Sequence, residues 1–159
     1  MRHVVLVAVL VVGCGEKDRG GGAVGGGREV PQTAKIEGTV SGGMLWLDYT
    51  ENAALAHSKY QDKTLLVKAQ VHSVAEGGGG YVLNCLVYLD ESNKKPPATV
   101  AKFSAAHRDR LAKLMPGHEI WIVGRCAGKK STPAGRNGVV VVLESCRPAT
   151  DTEQATVKK

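Results

Sequence analysis

Aromatic side chains are scarce in this chain: they make up 4% of its 159 residues, with one Phe, two Trp and four Tyr. A surface that grips single-stranded nucleic acid stacks successive bases on several exposed rings set among cations, and this inventory leaves few rings for such a role. Long apolar runs are missing as well. The longest, residues 4–12 (VVLVAVLVV), has nine members, whereas a bilayer core of ~30 Å needs about 20 helical residues. Acidic residues are in deficit, 15 against 21 Lys and Arg, for a formal charge of +6. That excess favours anionic surfaces in general, phospholipid headgroups and nucleic acid alike. It does not choose between them.

Motifs of catalysis and metal binding are also lacking. Gly128-Lys129-Lys130-Ser131-Thr132 invites comparison with a phosphate-binding loop, which needs glycine, four residues, then Gly-Lys-Ser/Thr. Val123 stands where the first glycine belongs, and Lys130 where Ser or Thr belongs. His57, His72, His107 and His118 are not spaced three or four residues apart and have no ligand cysteine nearby. No Ser-His-Asp grouping or carboxylate pair stands out. The sequence calls for no enzyme, no metal and no cofactor.

What is present begins at the N-terminus. Arg2 precedes the nine-residue apolar run, the pattern of a signal peptide. The run ends in Leu10-Val11-Val12-Gly13-Cys14, which resembles the lipobox of bacterial lipoproteins. The small Gly13 suits cleavage, and Cys14 supplies the sulfur to be acylated. The resemblance implies a signal peptide over residues 1–13 and a membrane as partner through lipid on Cys14. Cleavage removes Arg2 and leaves 20 basic against 15 acidic residues, or +5. Gly15 rather than aspartate follows the cysteine, which by likeness to enterobacterial lipoproteins favours the outer over the inner membrane. Residues 14–43, with Gly20-Gly21-Gly22 and Gly25-Gly26-Gly27 among charges, cannot bury enough apolar surface to offset chain entropy and read as a tether.

The folded region is expected over residues 44–148. Leu45, Tyr49, Asn52, Ala53, Ala56 and Tyr60 recur at helical spacing and predict one amphipathic helix. Over residues 64–74 the period becomes two, with Leu65, Val67, Ala69 and Val71 on one face and Leu66, Lys68, Gln70 and His72 on the other. Glycines 77–80 connect this strand to a second, residues 81–89. A short third strand covers 98–103, with Ser104 as N-cap of a helix over 105–114. Residues 118–126 and 139–146 are strands four and five, joined by a loop at 129–136. Residues 149–159 read as a disordered tail. The order is a helix followed by β-β-β-α-β-β, the connectivity of a five-stranded OB-type barrel, mainly β.

Two stretches then resemble the tRNA-anti-like family of bacterial OB-fold proteins. The first is Tyr49-x-x-Asn52-x-x-x-Ala56-x-x-Lys59-Tyr60-x-x-Lys63 with the strand LLVKAQVHSV; the second is Gly117, Gly124, Cys126 and Gly128 with the valine strand ending in Cys146. Many members are expected lipoproteins, and the name reflects a likeness to anticodon-binding OB domains.

OB folds bind ligands on strands two and three and on the loops joining strands 1–2 and 4–5. Those regions offer Tyr81, Tyr88, Lys102, Lys129, Lys130 and Arg136 as candidate ligand-binding residues. Strand parity sets Tyr81 and Tyr88 on opposite faces, which disfavours nucleic acid. Cys85, Cys126 and Cys146 remain after Cys14. A hairpin centred on the 127–137 segment would face Cys146 with His118, separating Cys126 and Cys146 by roughly 27 Å at ~3.4 Å per residue. A disulfide allows ~7 Å between Cα atoms, so buried free thiols are expected. The functional expectation is a non-catalytic binding module for an envelope protein or glycan. The alternative is a structural or assembly subunit of an envelope complex, with nucleic-acid capture last.

Overall fold

The computed structural model describes residues 29–86 and 97–158. Cys14, the glycine runs and Tyr88 lie outside the described residues. The strands are β1 (Gly38–Ser41), β2 (Thr64–Gly77), β3 (Gly80–Leu86), β4 (Thr99–Ser104), β5 (Glu119–Arg136) and β6 (Val139–Pro148); helices α1 (Gly42–Glu51) and α2 (Ala53–Tyr60) lie between β1 and β2. A tight 3-10 turn at Ala105–His107 leads into α3 (Arg108–Leu111), and α4 (Asp151–Ala155) follows β6.

The ladder runs β2-β3-β4-β6-β5 and closes through β2–β5 pairing. All pairs in that circuit are antiparallel except β4–β6, which is parallel. This is a closed five-stranded OB barrel, and β1 adds a parallel strand beside β2. β2 can serve two neighbours because it is long. Residues Thr64 to Gln70 pair with β5, and Gln70 to Gly77 pair with β3, with a bulge at His72. The bulge bends the strand and lets the sheet close.

Inward residues of all five barrel strands form one core, including Leu65, Val67, Val71, Leu83, Ala101, Phe103, Ile122 and Leu143. The two barrel ends are closed differently. At one, α1 inserts Leu45, Trp46 and Tyr49, all buried. Trp46 Nε1 donates to Val139 O at 3.3 Å, and Thr99 Oγ1 donates to Gly42 O at 2.9 Å. At the other, α3 supplies Leu111, also buried. Ser104 does not cap this helix, and its Oγ is buried without a partner. The helical segment is the 3-10 turn and the single α turn that follows it, ending at Leu111, shorter than the stretch 105–114 expected.

The helical stretch before β2 is two helices. Asn52 leaves helical geometry and its side chain accepts from Leu55 N at 3.1 Å, capping α2. Ser41 caps α1 through Met44 N at 3.2 Å. Asn is a strong N-cap, so the break is written in Asn52 itself.

Both domain boundaries lie outside those expected. Leu66, placed on the polar face of its strand by alternation, is 1% exposed. Val30, Ala34 and Ile36, from the stretch read as tether, cover it together with Val123, Ala149 and Trp121. The tail is not disordered over its first residues. Thr150 and Glu153 form a capping box at the start of α4, and Arg147, 2% exposed, joins that helix to the segment at Val30. Its guanidinium donates to Glu153 Oε1 at 2.6 Å, and its Nε donates to Val30 O at 3.1 Å. The hydrogen bonds from Arg147 hold the Glu153 carboxyl down at about 2.

The loop expected at 129–136 is mostly strand. Lys129, Lys130 and Ser131 pair with Val141, Val140 and Val139, and Arg136 also pairs with Val139, so residues 132–135 bulge outward. The turn is Asn137-Gly138, both at positive φ, the preferred two-residue hairpin dipeptide. With this register Cys126 faces Leu143, three residues from Cys146. That is roughly 10 Å at ~3.4 Å per residue, not the wider gap expected, and still beyond disulfide reach. Cys85, Cys126 and Cys146 are buried free thiols. Burial pushes Cys85 up to about 12 and raises Cys146 also.

Candidate functional site

The outer face of β3 and β4 is built by alternation. Leu83, Cys85, Ala101 and Phe103 point into the core, so Val82, Asn84, Val100 and Lys102 point out. Register sets Val82 beside Lys102 and Asn84 beside Val100. Asn84 Nδ2 donates to Ser73 Oγ on β2 at 3.0 Å. On the β6 side the face continues into a charged cluster centred on Glu144. That carboxylate accepts from Lys102 Nζ at 3.4 Å and Arg125 Nη2 at 3.1 Å, with Lys130 Nζ 3.8 Å away. Arg125 Nη1 also donates to Asp62 at 2.8 Å. Side chains in the cluster keep solvent access, from 29% for Glu144 to 65% for Asp62. Exposed pairs of this kind add little stability, ~0–1 kcal/mol each.

Of the sequence candidates, Lys102 and Lys130 therefore converge. Arg125, which joins them, was not singled out, and only the observed β5–β6 register reveals it. Lys129 is exposed on the same hairpin. Arg136 stands apart, its guanidinium 5.3 Å from the Trp46 ring centre and its backbone N–H donating to Pro97 O at 2.9 Å. Tyr81, next to Val82 in β3, is on the opposite face of the strand, half-buried against the core, with its hydroxyl donating to Glu76 at 3.1 Å. It does not join the cationic cluster. Tyr88 lies outside the described residues.

The remaining described rings are occupied. Trp46, Tyr49, Tyr60 and Phe103 are buried, and Trp121 packs on the outer cluster around Leu66. Among the described residues, no fully exposed ring is available as a stacking platform. No group of three or more His, Cys, Asp or Glu there could hold a metal.

A second concavity was not anticipated. An open groove of about 530 Å³ lies between β1 and the helices, lined by Ser41, Met44, Asp48, Lys59, Tyr60 and Lys63 among others. Its polar groups satisfy one another. Tyr60 Oη and Lys59 Nζ both donate to Asp48, at 2.6 and 2.9 Å, and the Tyr60 bond, ahead of the nearby ammonium, lowers the Asp48 carboxyl.

The sequence profile of the tRNA_anti-like family matches residues 2–145. The chain belongs to the tRNA_anti-like family. Several of the residues that carry the resemblance are scaffold. Tyr49 packs beside Cys126, hydroxyl to sulfur 3.6 Å. A Cβ at Gly124 would fall 2.6 Å from the Cys146 sulfur, and one at Gly128, which has φ +83°, would collide with the Gln61 side chain. Similar solved structures include a Klebsiella pneumoniae lipoprotein named for nucleic acid binding, 17% identical, covering 70% of this chain and 91% of its own, with TM-score 0.48. The Stn1–Ten1 complex of S. pombe is 14% identical over 60% of this chain and 67% of its own, with TM-score 0.35. A Leishmania major protein named as an aspartyl-tRNA synthetase is 11% identical over 78% of this chain and 23% of its own, with TM-score 0.45. A search of curated proteins returns no match. Family and fold are of a binding type.

Proposed function

We propose that this chain is a lipid-anchored, non-catalytic binding module. In this reading Cys14 carries the lipid and holds the protein in the cell envelope, with the outer membrane favoured. The barrel engages an envelope protein through the outer face of β3 and β4 and the adjoining β5–β6 hairpin. One observation carries the choice of partner. The face offers Val82, Asn84, Val100 and Lys102, rimmed by Arg125 and Lys130, with no exposed ring among the described residues. Aliphatic surface with a charged rim suits a protein partner, whereas bases need aromatic platforms.

A second reading has one observation in its favour. Between Glu119 and Glu144 the chain has four cations, Arg125, Lys129, Lys130 and Arg136, and no acid. Such a hairpin attracts phosphates, and phosphate-driven capture weakens steeply as salt rises. Affinity capture from solubilised envelopes with the purified domain separates these readings. One protein recovered in stoichiometric amount, and retained as salt is raised, supports the first. An oligonucleotide complex that dissolves over the same salt range supports the second, and a glycan would require a different account of the face. The anchor is tested separately. Cys14→Ala should move the protein out of the membrane fraction without unfolding it; retention after a high-salt wash would refute the anchor.

A further inference from the structure

The chain enters the barrel at a fixed place. Val30 N donates to Ser145 O at 2.9 Å, and Val30 O accepts from Arg147 Nε at 3.1 Å. Glu29 Oε2 stands 3.0 Å from His107 Nε2. All three contacts sit at the end of the barrel closed by α3. The link from Cys14 to this entry is therefore residues 14–28, fifteen residues rather than the thirty of 14–43. Fifteen residues span at most roughly 50 Å even when fully extended. Because the chain enters there, the α3 end is the part of the domain joined most directly to the anchor.

That end has the chemistry of an interfacial surface. Arg108, Arg110 and Lys113 are exposed, against Asp109 alone in the same segment. Asp151 of α4 is exposed two residues after Ala149, whose carbonyl accepts from Arg110 at 3.4 Å; of the other neighbouring carboxylates, Glu29 lies beside His107, Glu76 accepts from the Tyr81 hydroxyl, and Glu119 pairs with Lys68 at 3.0 Å. Met115, 60% exposed, tips the turn that follows α3. The turn is held firmly, with Gly117 N donating to Val71 O and Val71 N to His118 O, both at 2.8 Å. An unbranched apolar side chain is thus presented on a rigid support among three cations.

We propose that the α3 end of the barrel rests on the membrane, with anionic phospholipid headgroups against Arg108 and Lys113 and Met115 in the interfacial layer. This rests on the lipid-anchor reading. It leaves the β5–β6 hairpin, at the other end, facing away from the membrane and free to meet a partner. Each cation near an anionic bilayer contributes roughly a fivefold gain in partitioning.

The test uses the lipidated protein reconstituted on phosphatidylglycerol-containing vesicles, with methionine oxidation followed by peptide mass. Met44, 49% exposed on α1 at the opposite end, is the internal control. Met115 should oxidise several-fold more slowly on these vesicles than in the lipid-free protein, while Met44 keeps one rate throughout. The Arg108→Glu, Lys113→Glu double variant should lose that protection while still floating with the vesicles. Equal rates for both methionines in a protein that floats would overturn this inference and leave the anchor standing. Failure to float would remove the anchor and this inference together. Equal protection on purely phosphatidylcholine vesicles would refute the headgroup assignment, and protection of Met115 in the lipid-free protein would mean that a second copy covers it.

Discussion

The two ends of this barrel are closed by different means. At the hairpin end a ten-residue helix inserts Leu45, Trp46 and Tyr49; at the other, a single turn contributes Leu111. Several residues that carry the sequence resemblance gather at the first end, where Tyr49, Cys126 and Gly128 lock the helix onto β5. The second end carries the chain entry, three cations and an exposed methionine. In this molecule those residues mark the plug, while the proposed contact surfaces are drawn in charge and register. A family match therefore identifies the scaffold without identifying the ligand.

Truncating each plug breaks the comparison most directly. Trp46→Ala should cost about 3–5 kcal/mol and Leu111→Ala about 2–4 kcal/mol, since a buried ring leaves the larger cavity. Urea unfolding measures both, and a larger loss at Leu111 would reverse the assignment of the main plug. Glu153→Gln strips Arg147 of its carboxylate and should destabilise by about 3 kcal/mol at neutral pH. The sign follows from the depressed carboxyl. Its contribution is fully present above the ordinary carboxylate range near 4.5 and is lost as pH falls toward about 2. The gap between wild type and variant should accordingly close across that acid window, and a gap that widened there would contradict the pairing. Gly128→Ala forces a side chain into positive φ against Gln61 and should cost about 1–2 kcal/mol. Lys102→Ala, on the exposed cluster, should change stability by less than about 1 kcal/mol while weakening partner capture.

Much of the fold was legible because period and order carry it. Alternation in β2, the glycines at 77–80 and a helical segment between the third and fourth barrel strands led to the OB barrel. What was missed has local physical causes. Leu66 breaks the one-buried-face pattern because residues 30–36 cover it, a long-range contact that no local period reports. Asn52 and Asn137-Gly138 are signals present in the sequence, a helix cap and a hairpin turn, and reading them would have split the helix and set the β5–β6 register. The candidate face was legible only in part. Lys102 and Lys130 were named without the link through Arg125, because their meeting at Glu144 depends on bulges in β5 and β6.

The central claim is that the outer face of β3 and β4 meets a protein partner in the envelope. Site-specific photo-crosslinking in intact cells tests it, with a photoreactive residue at Val82 or Val100 and, as control, at Leu55, which is 62% exposed on α2. The account predicts one discrete protein adduct from both face positions and none from Leu55. The absence of any adduct at Val82 and Val100, or the same adducts from all three positions, would contradict it.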